Sequence, residues 1–176
     1  MVAYAAIFDL SLLKLPSSSE LEQLQQAYLG EIYGIAFFDY FICHYSANEK
    51  QLSIFKKLHY IEIITKAAIE TELVEFLNID LSLTIEMKLK GILDAKKWIT
   101  KPWSSLIDTM VDWVEPYQIQ YHQQRLSAKH NKTLFGYVDA HETAIFNFLL
   151  SEQKQESKAS KVLDDFINTA LLESIK

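Results

Sequence analysis

Residues 17–45 read SSSELEQLQQAYLGEIYGIAFFDYFICHY. Pro16 closes the apolar segment ahead of them, and Ser19 with Glu22 forms a capping box, in which hydroxyl and carboxylate satisfy free amides of a helix's first turn. Leu24, Tyr28, Glu31, Ile35, Phe38 and Ile42 then recur at helical spacing along one stripe. Phe37, Tyr40 and Phe41 widen it, so the helix is apolar on more than one side. One glutamate, Glu31, stands in the middle of that stripe.

Only Ser46 and Ala47 separate this helix from Asn48, which with Gln51 marks a second cap. The stripe Phe55, Leu58, Glu62, Thr65, Ile69, Leu73 and Phe76 predicts a helix over 48–77. A connection that short makes the two helices antiparallel neighbours. Residues 78–100 support two readings. Ile79, Leu81, Leu83, Ile85, Met87 and Leu89 alternate with polar residues as in a strand, whereas Leu81, Ile85, Leu89 and Ile92 fit a helix. The only pairing partner for a lone strand is residues 1–15, which favours a helical crossover. Pro102 pre-sets a helical φ for a third long helix reaching about residue 128. Its stripe is Trp103, Leu106, Met110, Trp113, Tyr117 and Tyr121, and Pro116 is expected to kink it. Asn131 is the expected cap of a fourth helix over 131–152, carrying Leu134, Val138, His141, Glu142, Ile145 and Leu149. A solvated run over 151–161 leads to a short amphipathic helix at about 160–175.

The fold class is therefore all-α. The 176 residues fit a single domain with a core over about 17–152, long enough to bury about two-thirds of the surface of the unfolded chain. With 4 Gly and 3 Pro there is little material for the tight turns of an all-β fold. The net charge is −6, and Lys14, Lys56, Lys57, Lys96, Lys97 and Lys161 are scattered, so no basic stripe points to nucleic acid. Cys43 is the only cysteine, which rules out an intrachain disulfide and points to a reducing, cytoplasmic setting. Residues 1–15 carry Asp9 and lack an early basic region; they make a poor signal peptide and are too short for a membrane helix, so they read as a segment packed on the domain. No membrane partner is expected.

The four long helices have midpoints near residues 31, 62, 115 and 142, and each of these is a glutamate: Glu31, Glu62, Glu115 and Glu142. In a bundle of aligned antiparallel helices the midpoints meet at one level. Glu31, Glu62 and Glu142 lie on otherwise apolar stripes, and Glu115 lies beside the best stripe of its helix. A carboxylate in an apolar core is costly unless paired, and several together repel so that some hold protons. A divalent metal bound by oxygens from facing helices relieves that repulsion. A proton, an arginine or a water network does so too.

In helix order, crossover position and central glutamates, residues 17–152 resemble the ferritin-like superfamily. The resemblance implies a four-helix bundle with a long crossover between helices 2 and 3 and a short C-terminal helix; an up-down bundle with a fifth helix is the alternative. Two-metal members of that superfamily take one glutamate from each of two helices and a Glu-x-x-His from each of the others. The resemblance thus implies Glu31 and Glu115 at the single-glutamate positions, Glu62 and Glu142 at the others, and Fe or another divalent metal as cofactor. Thr65 and Ile145 stand where the histidines would be, so neither Glu-x-x-His is present. His59 precedes Glu62 by three residues, in reversed order, and His141 sits beside Glu142, about 100° round the helix. Both are candidate ligands or proton shuttles, or core histidines bonded to a carboxylate. The segments Gly30-Glu31-Ile32-Tyr33-Gly34 and His141-Glu142-Thr143-Ala144 resemble a bacterial ferritin-like group of undefined activity, which implies a fold and no reaction.

The candidate metal ligands are therefore Glu31, Glu62, Glu142, Glu115, His59 and His141, for one or two ions. The alternative is a non-catalytic helical protein with a degenerate site, a homodimer or partner-binding module joined through the wide apolar surface of the first helix. A helical enzyme of the haem-oxygenase-like type is a third reading, without a proximal-histidine context to favour it. The aromatic set Trp103, Trp113, Tyr117, Tyr121, Phe37 and Phe38 either lines a ligand pocket or forms plain core. With no Gly-rich phosphate loop, His-Glu-x-x-His or nucleophile motif, phosphoryl transfer, dinucleotide and acyl-transfer chemistry lack support.

Overall fold

The computed structural model describes residues 18–73 and 79–173. Residues 1–15 and Phe76, given roles above, lie outside that range. The described elements are α1 (Ser18–His44), α2 (Glu49–Leu73), α3 (Leu81–Trp98), α4 (Trp103–Ser127), α5 (Lys132–Gln153) and α6 (Lys161–Glu173). There is no strand among the described residues, and the fold is all-α. No described helix is long and apolar enough to cross a membrane.

Local signals explain most boundaries. At α2, the Gln51 amide donates to Asn48 Oδ1 at 2.9 Å and the Asn48 amide to Gln51 Oε1 at 3.0 Å, the reciprocal box read from the sequence. At α1 the boundary differs: the helix begins at Ser18, which places Ser19 inside it. The buried Glu20 carboxylate accepts the Lys129 and His130 amides at 2.6 and 3.2 Å, tying the start of α1 to the α4–α5 connection. Asn131 also departs from expectation. It adopts φ 44° and makes no side-chain cap; its short polar side chain tolerates the left-handed turn that reverses the chain into α5. The helix α4 continues through Pro116.

Within the described part of 78–100 the helical reading is the one observed, as α3. Asp80 caps α3, accepting the Ser82 amide at 2.8 Å, and the apparent alternation carries no buried face: Leu81, Leu83, Ile85, Leu89 and Leu93 are exposed. The helix docks on α1 through its small residues. Gly91 and Ala95 are buried, and a Cβ at Gly91 would stand 2.5 Å from the Tyr33 carbonyl oxygen. Asp94 fixes the contact, accepting from the Tyr33 hydroxyl at 3.1 Å and from Lys90 and Lys97 at 3.0 and 2.6 Å.

The helix α1 packs on α2 and α3, α4 packs on α5, and α2 joins the two pairs through α5. Trp113 of α4 closes the bundle against Tyr33 and Phe37 of α1, with ring centroids 5.3 and 6.0 Å apart. Among the described residues the core falls into two apolar clusters. One holds Phe37, Phe41, Phe55, Leu58, Met110, Val114, Ile145 and Phe148. The other holds Leu24, Ala27, Ile69, Leu73, Tyr121, Phe135 and Val138. Along α1, α2 and α5, the residues between the clusters include Glu31, Glu62 with Thr65, and His141, so a polar layer crosses the bundle at mid-height.

The Gly91 contact is open to test by thermal melting. Gly91→Ala forces backbone apart at the α1–α3 interface and should destabilise by about 1–3 kcal/mol. Gly136→Ala in α5, where a Cβ meets nothing within 4 Å, should instead stabilise, by about 0.5–1 kcal/mol from helix propensity. A higher melting temperature for Gly91→Ala would contradict this docking.

Candidate metal centre

Three side chains converge in the polar layer. Glu31 comes from α1, Glu62 from α2 and His141 from α5, with only 3%, 7% and 2% of their surface exposed. One ligand atom from each lies within 4.8 Å of the others. The His141 ring spans the two carboxylates, with Nδ1 3.3 Å from Glu31 Oε1 and Nε2 3.8 Å from Glu62 Oε1. Neither contact has hydrogen-bond geometry. Among the described residues, Glu31 Oε2, both His141 nitrogens and Thr65 Oγ1 are buried without a hydrogen-bond partner.

The backbone is shaped to this layer. A Cβ at Gly34 would collide with the Glu62 carboxylate, so the glycine leaves the space that carboxylate fills. Gly30, one turn earlier, faces the Tyr121 hydroxyl, which a Cβ would meet at 3.4 Å. Glycine inside a helix costs about 0.5–1 kcal/mol relative to alanine, so a pair flanking Glu31 marks close approach. The glycine pair is the signal in the sequence for that close approach, and Tyr121, from the aromatic set expected to form a pocket or core, lies at it.

Electrostatics follow from burial. Burial pulls the His141 imidazole down, but the charges of Glu31 and Glu62 outweigh it and hold the ring well above its usual value. Burial pushes the Glu31 carboxyl well up, with His141 opposing and Glu62 adding. Glu142 is raised to about 7 by burial, again with His141 opposing and Glu62 adding. Burial and the Glu142, Glu31 and Glu62 charges hold the Tyr121 hydroxyl well above the usual phenol range, so it stays a donor.

The other sequence candidates sit differently. Glu142 lines the adjoining cavity but is not one of the three clustered ligands. The inward row of α5 is Leu134, Val138, His141, Ile145 and Phe148, all buried, and Glu142 stands one residue round from it. Glu115 is exposed, because the inward row of α4 runs through Met110, Val114 and Tyr121 and leaves it about 100° off. His59 is half-buried one turn before Glu62 and is not among the clustered ligands. Thr65 is fully buried at the position where a Glu-x-x-His would carry histidine.

A cavity of about 320 Å³ opens from this layer. Its polar lining includes Glu31, Glu62, His141, Glu142 and Tyr121, with Gln26, Gln120 and Lys90 as well, and its aromatic lining includes Tyr33, Phe37, Phe38, Trp113 and Tyr117. Trp103 takes no part; it packs on Phe55 at 5.6 Å and donates to Glu152 at 2.9 Å.

The raised groups predict a pH dependence for chelator-treated, metal-free protein. A group with a raised folded-state value binds more protons when folded, so stability falls as pH rises. For Glu142 the loss runs from its ordinary 4.5 to about 7. For His141 it begins above 6.5. The melting temperature should therefore be lower at about pH 8 than at about pH 5.5, and Glu142→Gln should flatten the acidic part of that slope. A melting temperature that climbs with pH would contradict the assignment. Comparison of the chain with family models, curated proteins and solved structures finds no match.

Proposed function

We propose that this protein binds one divalent transition-metal ion through Glu31, Glu62 and His141, and that the ion acts on a small molecule held in the adjoining cavity. The observation that carries the reading is the set of buried, unpartnered ligand atoms converging between two apolar clusters. A buried polar atom without a partner costs about 1–3 kcal/mol. Glu31 Oε2 and one His141 nitrogen are such atoms, and a cation between them would satisfy both.

The donor set fits such an ion. Two carboxylates balance a double positive charge, and one imidazole with oxygen donors suits Fe, Mn or Zn. One His141 nitrogen can bind the ion while the other keeps its proton toward the facing carboxylate, as in carboxylate–histidine–metal arrangements. Gly34 keeps room for the Glu62 carboxylate, and the apolar clusters exclude water on both sides. Bound there, the ion would supply Lewis acidity, and iron would add one-electron chemistry. Two long helices, an intervening helix and two more, with glutamates at the centre, support the ferritin-like resemblance. The missing Glu-x-x-His motifs and the exposed Glu115 favour one ion over two.

A second reading rests on the His141 ring facing one carboxylate with each nitrogen: a metal-free imidazolium held between Glu31 and Glu62. Titrating stripped protein with Mn²⁺, Zn²⁺ and, under nitrogen, Fe²⁺ separates the two. The metal reading predicts about one ion per chain after gel filtration, with Glu62→Gln and Gly34→Ala each weakening binding by about ten- to a hundredfold while helicity is retained. Sub-stoichiometric metal, or affinity unchanged in both variants, would leave the charge triad as the account.

A further inference from the structure

The cavity has two chemically distinct parts, and their combination specifies a ligand. An apolar cavity of about 150 Å³ holds benzene. At about 320 Å³ this one has room for roughly twice that volume. Its aromatic part is a cluster of rings packed on one another, Phe37 and Trp113 at 6.0 Å, Tyr33 and Phe37 at 5.9 Å and Tyr117 and Trp113 at 5.4 Å, in which half-buried Trp113 and exposed Tyr117 present ring faces on the cavity lining. Such faces favour a planar aromatic body. Tyr117 is 40% exposed and Gln120 and Lys90 are exposed on the same lining, which gives the cavity an entrance from solvent.

The polar part selects the head group. Glu31, Glu62 and Glu142 present carboxyl oxygens, and Glu31 Oε2 has no partner among the described residues. An ammonium head competes with the proposed ion for the same carboxylates, whereas a hydroxyl donates to a carboxylate and offers its oxygen to a metal. We infer that the cavity is a binding site for a small hydroxylated aromatic compound of the phenol or naphthol class, its ring against Trp113 and Tyr117 and its hydroxyl at Glu31, Glu62 and His141. The choice of head group rests on the metal reading; the aromatic walls take the ring with or without an ion.

Calorimetric titration with 2-naphthol, against metal-free and Zn²⁺-loaded protein, tests the inference. It should bind one per chain, about tenfold tighter than the isosteric 2-methylnaphthalene, the equivalent of one net hydrogen bond. Val114→Phe, which fills the cavity from the α4 side, should abolish binding; Tyr117→Ala, at the entrance and outside the buried core, should weaken it even if Val114→Phe fails to fold. Equal binding of the hydrocarbon, tighter binding of an arylalkylamine such as 2-phenylethylamine, or indifference to both variants would overturn the inference. If 2-naphthol binds metal-free protein and no ion binds, the cavity assignment stands and the metal reading falls. If the ion binds and 2-naphthol does not, the reverse holds.

Discussion

The His141 imidazole, held between two buried carboxylates, is the constraint around which the rest of the bundle is arranged. Charged groups of this kind are expensive to remove from water, and breaking a buried pair typically costs about 3–5 kcal/mol. The chain accommodates them by dividing its core, with phenylalanines and leucines packed into one cluster on each side of the polar layer. Three helices contribute a side chain to the Glu31, Glu62 and His141 group, and α4 contributes the Tyr121 hydroxyl beside it. A stability-driven core would place apolar residues at Glu31, Glu62 and His141, because well-packed hydrophobes usually do better than buried ions. Their presence argues for a task.

Close approach is the second device. Gly34 clears space for a carboxylate, and Gly91 lets α3 lie against the backbone of α1. The two contacts fall on the same stretch of α1, where Tyr33 bonds to Asp94 on one side and faces Trp113 on the other. The helix α3 thereby contributes Met87 and Lys90 to the cavity lining. The intervening helix is therefore part of the site as well as a connection between the helix pairs.

Much of this was legible in the residues. The apolar stripes and the Asn48–Gln51 box located the long helices, because helical periodicity depends only on local spacing. The central glutamates pointed to a polar layer, because helix midpoints coincide in an antiparallel bundle. Rotation about each helix axis was harder to read. Glu142 and His141 are neighbours about 100° apart, and only packing against α1 and α2 decides that the histidine enters the cluster. The same ambiguity turned Glu115 outward, since the best apolar row of α4 passes one residue to its side. The capping role of Asn131 was lost to backbone conformation, and the Glu20 contact with the α4–α5 connection spans too much sequence for any local pattern. Alternation in α3 resembled a strand because its exposed face is itself apolar.

Anomalous diffraction from crystals of the Zn²⁺-loaded protein would locate the ion. The account predicts a single strong peak per chain in the polar layer, about 2.0–2.2 Å from a carboxylate oxygen of Glu31, one of Glu62 and a nitrogen of His141. A layer without a peak, in which both His141 nitrogens have closed to hydrogen-bond distance on Glu31 and Glu62, would contradict it.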